Sequence, residues 1–219
     1  MKSELLKNKI ISWGKDLGFD DVGFTDIDLK EDEAHLLNWL KNKFHGEMYY
    51  MEKHGVKRSR PEILMPGTVK VISFRMNYLT ENTYDSKKVL ENNNLAYISR
   101  YALGKDYHSE MRDRLHKIAK KINAEVDDFK YRAFVDSAPV LEKAIGQKAG
   151  LGWIGKNTLL INKNSGSYFF LGEIYTNIDF AIDKKSKSYC GDCSECIKLC
   201  PTGAIISPHV LDAKKCIAY

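Results

Sequence analysis

The chain has 219 residues, of which 43% are hydrophobic and 29% charged, a composition typical of a globular protein that buries a full core. No apolar run approaches the roughly 18–20 residues that span a bilayer, so we expect neither membrane insertion nor export, and a cytoplasmic location. The net charge of +5 and the isoelectric point near 8.8 are weak evidence for an anionic partner such as RNA, because most surface lysines only solvate a protein.

Apolar periodicity predicts helices that alternate with strands up to about residue 180. Ser3 is expected to cap a first helix that stops at Gly18. Further helices are expected over residues 31–42, 105–124 and 141–149, and strands over residues 22–27, 69–74 and 131–135. Residues 158–161 and 168–174 are expected to form a hairpin across the turn at 164–166.

These elements predict an α+β protein with two parts. Residues 1–180 should form an α/β sandwich-like domain, with a mixed sheet flanked by helices. Residues 181–219 should begin a cysteine-rich, ferredoxin-like module.

Four of the five cysteines form one run that ends at a proline, namely Cys190, Cys193, Cys196 and Cys200. The spacing CxxCxxCxxxCP is the bacterial ferredoxin signature, in which three thiolates bind one iron–sulfur cluster and the fourth points toward a second cluster. The pattern therefore predicts a protein that moves electrons.

The number of cysteines is too small for two complete clusters. Two [4Fe–4S] clusters need four thiolates each, and outside the run only Cys216 is left. The sequence stops three residues after Cys216, so we expect a fragment whose remaining ligands lie downstream. A single cluster held by the first three cysteines and one further thiolate, or a zinc site with four cysteines, are the alternatives, whereas disulfides suit this tight spacing poorly.

Two loops hold more polar groups than a scaffold requires. Residues 99–108 gather cations, phenols, an acid and an imidazole around one glycine. The second loop opens with Asp136 at a strand-to-helix turn, where helix capping by Asp136 or Ser137 is the structural alternative. Farther on, residues 150–155 spell GxGxxG, but after a helix and before a strand, the reverse of a dinucleotide-binding fingerprint. We expect instead a backbone that comes close to a large ligand.

Long motifs from about Arg58 to the end of the chain resemble the epoxyqueuosine reductase family. They are SRYALGKDYH, VDSAPVLEKAIGQKAGLGWIGKNTLLI, GSYFFLGEI and CGDCSECIKLCPTGAI. The resemblance implies a cobalamin-dependent enzyme that reduces the epoxide of epoxyqueuosine in the tRNA anticodon to the alkene of queuosine. It also implies a corrin-binding domain over residues 1–180, two [4Fe–4S] clusters in the full-length protein, an external electron donor and a monomer.

The resemblance implies residue roles as well. Asp136 corresponds to the family's proposed proton donor, and an acid there would neutralise the alkoxide that epoxide opening generates. The candidate cobalamin contacts are Arg58, Ser99, Tyr101, Asp136, Lys156 and Asn157. For Arg58 the alternative is an exposed cation, and for the tyrosines it is a place in the core. Cys190, Cys193 and Cys196 would bind the first cluster, and Cys200 with Cys216 the second.

Two other functions fit the same residues. Another cobalamin and iron–sulfur reductase, such as a reductive dehalogenase-like enzyme, would act on a small organic substrate. A non-catalytic iron–sulfur electron carrier would bind no corrin. Only the tRNA enzyme should depend on a basic surface, with affinity that falls steeply as salt rises.

Overall fold

The computed structural model describes residues 2–79 and 84–219. Its strands are β1 (Asp21–Thr25), β2 (Lys70–Asn77), β3 (Tyr131–Phe134), β4 (Trp153–Ile154), β5 (Leu160–Ile161), β6 (Phe169–Thr176), β7 (Ile205–Ser207) and β8 (Val210–Leu211). Its helices are α1 (Lys2–Asp16), α2 (Lys30–Lys41), α3 (Tyr50–Lys53), α4 (Pro61–Leu64), α5 (Ser86–Leu90), α6 (Tyr107–Asn123), α7 (Glu142–Lys148) and α8 (Glu195–Lys198), with 3-10 turns at Gly55–Arg58, Arg100–Ala102 and Ala213–Lys215. The predicted α+β class is confirmed, and each predicted helix and strand of the central domain is present with slightly shifted ends.

The central sheet has the strand order β1-β2-β6-β3. Every neighbouring pair in it is antiparallel, so the expectation of a mixed sheet is wrong. In an antiparallel pair, one strand begins at the end of the sheet where the neighbouring strand ends. The segment that carries α2, α3 and α4 therefore returns to the end at which β1 finished, and β2 runs back beside β1.

The two faces of the sheet carry different helices. Side chains alternate along β6, so Ile174 packs toward α1 and α6 while Tyr175 packs toward α7. Along α6 the buried residues recur at helical spacing and face the sheet; they are Met111, Leu115, Ile118, Ala119 and Ile122. On the other face, Ala144 and Ile145 of α7 pack in the second cluster of buried residues. The beginnings of α6 and α7 are both hydrogen-bonded to the residues that follow β3.

The hairpin expected from residues 158–161 and 168–174 is wrong. Residues of β5 pair with β4, and only a bridge between Asn162 and Gly166 closes the predicted turn. The strand that follows, β6, is central and pairs with β2 on one side and β3 on the other. The pairing with β3 covers only residues 173–176 of β6, and β5 turns back onto β4 to form a separate two-stranded sheet.

Two smaller expectations are also corrected. Ser3 lies inside α1, which begins at Lys2, and the Ser3 hydroxyl donates to the Asp179 carbonyl at 3.3 Å instead of capping the helix. In the glycine run, a Cβ at Gly152 would collide with the carbonyl oxygen of Ile161. The close backbone approach at Gly152 is therefore made to the protein's own strand β5.

The last thirty residues contain α8, the β7–β8 pair and the final 3-10 turn. They contact the rest of the chain through hydrogen bonds from the Trp39 indole to the Leu211 carbonyl at 2.7 Å and from the Glu47 amide to the Tyr219 hydroxyl at 2.6 Å. Within the described residues, none of the helices combines the length and the hydropathy needed to cross a membrane.

Candidate active site

Asp136 lies just beyond the end of β3 with a left-handed backbone, at a φ of 47°. Its Oδ2 atom accepts the Tyr107 hydroxyl at 2.6 Å and lies 2.9 Å from Nε2 of His108. A non-glycine residue in this conformation costs about 1–3 kcal/mol, so surrounding contacts must hold it in place. The Asp136 side chain is still 55% exposed, which leaves it accessible to a substrate.

A second carboxylate supports Asp136 from behind. Oε1 of Glu142 accepts the backbone N–H of Asp136 at 2.6 Å. Burial raises the pKa of Glu142 to about 7, because the hydrogen bond from Asp136 only partly offsets the loss of solvation. The cap position of α7 is occupied by Leu141, so the alternative in which Asp136 or Ser137 caps this helix is wrong.

His108 bridges two carboxylates at the start of α6. Asp106 caps this helix by accepting the His108 amide at 3.0 Å, and its Oδ1 lies 2.8 Å from the ring Nδ1. The hydrogen bond to Asp106 and then that to Asp136 raise the pKa of His108, since both favour the imidazolium. The ring can therefore hold a proton within hydrogen-bonding distance of Asp136.

Tyr107 is fixed by aromatic packing. Its ring stacks on Phe170 of β6 with centroids 3.9 Å apart and planes 5° from parallel. Burial, followed by the hydrogen bond to Asp136, raises the pKa of Tyr107, so the phenol stays a donor. Tyr107 and His108 lie within the motif SRYALGKDYH, which by itself indicates no role for either residue. The local signal was Asp106, the helix cap directly before them.

A cavity of about 800 Å³ opens beside this cluster. Much of its wall is aromatic and aliphatic, including Tyr78, Leu95, Ile98, Tyr101, Tyr107 and Phe170. Tyr107 thus belongs both to the cavity wall and to the hydrogen-bonded cluster around Asp136. Such a wall suits a large, flat, mostly apolar ligand with a few polar groups at its edge.

The candidate cobalamin contacts fall into different places. Tyr101 lines the cavity, and its ring meets Tyr107 edge-on at 6.4 Å. Ser99 directly precedes the 3-10 turn that carries Tyr101. Arg58 is only 7% exposed, so its interpretation as an ordinary surface cation is wrong. Its guanidinium donates to the Tyr50 carbonyl at 3.0 Å, while its buried Nε has no hydrogen-bond partner among the described residues.

Lys156 and Asn157 contact other parts of the chain. The Lys156 ammonium donates to the carbonyl oxygens of Gly191 at 2.7 Å and Cys193 at 2.8 Å. The Asn157 side chain accepts the Leu159 amide at 3.2 Å. In the described part of the chain, Tyr101 is the one candidate contact that lines the cavity, and contacts of the other five residues with cobalamin stay predictions.

The five cysteines are free thiols. Backbone N–H groups of Ile205, Thr202 and Ala204 are directed at the Cys200 sulfur and lower the pKa of this thiol to about 7. A lowered pKa favours the thiolate, which is the form of cysteine that binds a metal ion. Over residues 2–79 and 84–219, no three His, Cys, Asp or Glu side chains are arranged to hold a metal ion. The cluster ligands therefore stay a prediction.

Comparisons with known proteins agree with the motifs. The family model described as epoxyqueuosine reductase QueG, DUF1730, matches residues 58–137. The epoxyqueuosine reductase of Pseudomonas aeruginosa is 54% identical over 215 residues, which are 98% of this chain and 59% of that protein. Over nearly its whole length this chain is similar to the epoxyqueuosine reductases. It spans a little more than half the length of the curated relatives that it matches.

Solved structures of the family have the same fold. A crystal structure of epoxyqueuosine reductase with an epoxyqueuosine-modified tRNA-Tyr stem loop matches with a TM-score of 0.84 and 29% identity, over 98% of this chain and 56% of that one. The Bacillus subtilis epoxyqueuosine reductase, with its catalytic aspartate loop swung out of the active site, matches with a TM-score of 0.85 and 26% identity over the same shares.

A more distant likeness concerns the fold alone. A reductive dehalogenase studied for B12-dependent dehalogenation shares 14% identity at a TM-score of 0.52, over 94% of this chain and 24% of that one. The epoxyqueuosine reductases are thus much closer in both sequence and structure.

Proposed function

We propose that this chain is the corrin-binding and proton-donating part of an enzyme that reduces the epoxide of epoxyqueuosine in tRNA to the alkene of queuosine. The observation that carries the proposal is the Tyr107–Asp136–His108 cluster, because it hydrogen-bonds an exposed acid to Tyr107 in the wall of an apolar cavity. The likeness to the tRNA-bound family structure supports the choice of substrate.

The reaction needs two electrons and two protons, and it breaks both carbon–oxygen bonds of the epoxide and releases water. Cobalamin, when bound, supplies the strongly reducing centre from which the electrons reach the substrate. As each carbon–oxygen bond breaks, negative charge develops on the oxygen, and a proton from the Asp136 carboxyl removes it. We assign to Asp136 the role of the catalytic aspartate in the Bacillus subtilis relative.

The neighbours of Asp136 supply and direct that proton. Nε2 of His108 can pass a proton to Oδ2 of Asp136 across 2.9 Å, and Asp106 holds the other ring nitrogen. The Tyr107 hydroxyl fixes the same oxygen atom at the cavity wall. The path thus runs from the imidazolium through the carboxyl group to the leaving oxygen.

The residues around the cavity fit a corrin. Their aromatic and aliphatic side chains match its apolar faces. Arg58 lies outside the described wall of the cavity, but its buried Nε has no hydrogen-bond partner among the described residues, and we assign this donor to a polar group of the corrin. We propose Arg58, Ser99, Tyr101, Asp136, Lys156 and Asn157 as the contacts.

Electron delivery belongs to the cysteine-rich part, residues 181–219, which we propose as the start of a ferredoxin-like module. Cys190, Cys193 and Cys196 would hold one [4Fe–4S] cluster, and Cys200 with Cys216 would contribute to a second. The lowered pKa of Cys200 supports thiolate ligation. The motif also implies an external electron donor, and the family resemblance a cytoplasmic monomer.

The first experiment is anaerobic purification of the chain, addition of cobalamin, and visible spectra before and after chemical reduction. Bound corrin whose cobalt becomes reduced supports the proposal and justifies a tRNA assay. An iron–sulfur absorbance without corrin binding would leave an electron carrier. Corrin binding with turnover of a halogenated small molecule, and none of tRNA, would favour the dehalogenase-like alternative, for which the shared fold is the supporting observation.

A matched pair of variants tests the acid. In the full-length enzyme, Asp136→Asn should bind corrin normally and lose about 100-fold or more in turnover, as expected for loss of a general acid. Asp113→Asn changes an exposed carboxylate on α6 and should keep full activity. Full turnover by Asp136→Asn with normal corrin loading would refute the role of Asp136.

A further inference from the structure

We propose that Glu142 is a positioning residue: by accepting the backbone N–H of Asp136, it holds the loop 136–142 so that the Asp136 carboxyl stays beside Tyr107 and His108. The inference rests on the proposed function, because the position of Asp136 matters for catalysis only if Asp136 is the proton donor. The contact itself can be tested without any turnover.

The loop has a strained start and a rigid end. Asp136 adopts a left-handed φ of 47°, a conformation that is uncommon for residues other than glycine, although aspartate adopts it more often than most. Glu142 is the first residue of α7, and this helix is anchored by buried Ala144 and Ile145. A 2.6 Å hydrogen bond joins the two, from the Asp136 amide to Oε1 of Glu142. The loop is therefore tied at the residue that carries the functional side chain.

The interior of the loop adds little else to fix Asp136. Val140 is buried and its amide donates to the Ala138 carbonyl at 2.8 Å, which stabilises a tight turn next to α7. Among the described residues, the hydrogen bonds to the Asp136 side chain come from Tyr107 and His108 of α6. Glu142 thus makes the contact that defines the backbone direction at Asp136.

Several charged groups surround Glu142, from every element near it. They are Asp136 in the loop, Glu173 on β6, Lys143 on α7, His108 on α6 and Arg58 in the 3-10 turn Gly55–Arg58. Glu173 is fully buried, and its Oε2 has no hydrogen-bond partner among the described residues. The nearby hydroxyls of Tyr107 and Tyr175 stay neutral, because burial raises the pKa of both.

The sign of the pH effect follows from these surroundings. The pKa of Glu142 is about 7, so the carboxylate form dominates above pH 7 and the neutral acid below it. An ionised carboxylate is a stronger acceptor for an N–H group than the neutral acid. The hold on Asp136 should therefore weaken as pH falls from 8 to 6. Since His108 also titrates, a variant without the Glu142 charge is needed to separate the effect of Glu142 from the effect of His108.

The test is amide hydrogen exchange at residue 136, resolved by NMR on the full chain and expressed as a protection factor. Glu142→Ala should lose about tenfold or more of the wild-type protection at pH 8, because the acceptor is gone. Glu142→Gln keeps an acceptor oxygen and should stay within about threefold of wild type. Glu62→Gln, an exposed carboxylate on α4, should change nothing.

A pH series gives the second readout. Wild-type protection at residue 136 should fall about three- to tenfold from pH 8 to 6, and that of Glu142→Gln should stay level. If protection in Glu142→Ala equals wild type, or if the wild-type and Gln profiles coincide, the inference is wrong. Protection of the Ile118 amide in α6 reports global folding. If this protection is lost in Glu142→Ala, the inference is tested by the pH series of wild type and Glu142→Gln alone.

Turnover separates this inference from the proposed function. In the full-length enzyme, Glu142→Ala should lower kcat about tenfold with unchanged corrin and tRNA affinity, and Glu142→Gln should restore most of it at pH 8. A wild-type enzyme without epoxide reduction would refute the proposed function while leaving the exchange result intact. An unchanged kcat in Glu142→Ala would refute the positioning role alone.

Discussion

The Tyr107 hydroxyl and the Asp136 carboxylate are joined by a 2.6 Å hydrogen bond across 29 residues of sequence. The bond exists because α6 begins where β3 ends, and because the Tyr107 ring is held flat against Phe170. It connects the wall of the cavity to the exposed Asp136 carboxylate, so a ligand that fills the cavity would lie close to this group.

Removing this hydroxyl should affect catalysis more than binding. Tyr107→Phe keeps the stacking on Phe170 but leaves Asp136 with one fewer donor, and we expect full-length turnover to fall about 10-fold or more. Corrin affinity should change less than about threefold, since the ring contact is kept. Tyr168→Phe, at a tyrosine exposed near β6, is the matched control. A Tyr107→Phe enzyme with wild-type kcat would show that the hydroxyl does not serve the reaction.

The raised pKa of His108 should depend first on Asp106. We expect Asp106→Asn to lower this pKa, because the imidazolium loses its main hydrogen-bond partner. The raised value means that the charged ring favours folding below its ordinary pKa and that this contribution disappears as pH rises through the folded value. NMR titration of the His108 ring measures the shift, with Asp113→Asn as a control. An identical titration curve in Asp106→Asn would contradict the assignment.

The buried Glu173 should make stability depend on pH. Burial raises its pKa well above the ordinary range, so the folded chain keeps a proton that the unfolded chain releases above about pH 4.5. Stability should therefore fall as pH rises from 5 to 8. Glu173→Gln takes up no proton and should lose less stability over this range, by about 1 kcal/mol or more.

Urea unfolding at both pH values measures the effect of Glu173. Glu142 contributes in the same direction in both proteins, so the difference between them reports Glu173 together with its interaction with Glu142. Glu91→Gln, at an exposed position, should reproduce the wild-type slope. Equal slopes for wild type and Glu173→Gln would mean that the buried carboxyl does not hold its proton.

Lys156 offers a choice between two roles. Its ammonium donates to the carbonyls of Gly191 and Cys193, so Lys156→Met should lower the iron bound per chain by loosening the first cysteine turn. We expect a loss of about half of the iron or more, with Lys187→Met as the exposed control. A drop in cobalamin affinity with normal iron would instead support Lys156 as a cobalamin contact.

Periodicity and motifs were sufficient for much of the fold. The repeating apolar positions of α6 and the β-branched run of β2 predict their own structure, because local spacing determines which face of an element is apolar. The motif at Asp136 predicts the acid, and the cysteine spacing predicts the type of cluster ligand.

The pairing of strands and the partners of Asp136 depended on the tertiary structure. Residues 158–161 could have paired with β6 by sequence, but β5 turns back onto β4, and β6 pairs with β2 along its whole length and with β3 over residues 173–176. Tyr107 and His108 meet Asp136 only because α6 packs across the sheet and starts beside the end of β3. Sequence alone determined the elements and the chemistry of single residues. Their convergence was decided by long-range packing, since hydrogen bonds between residues far apart in the chain leave no local pattern.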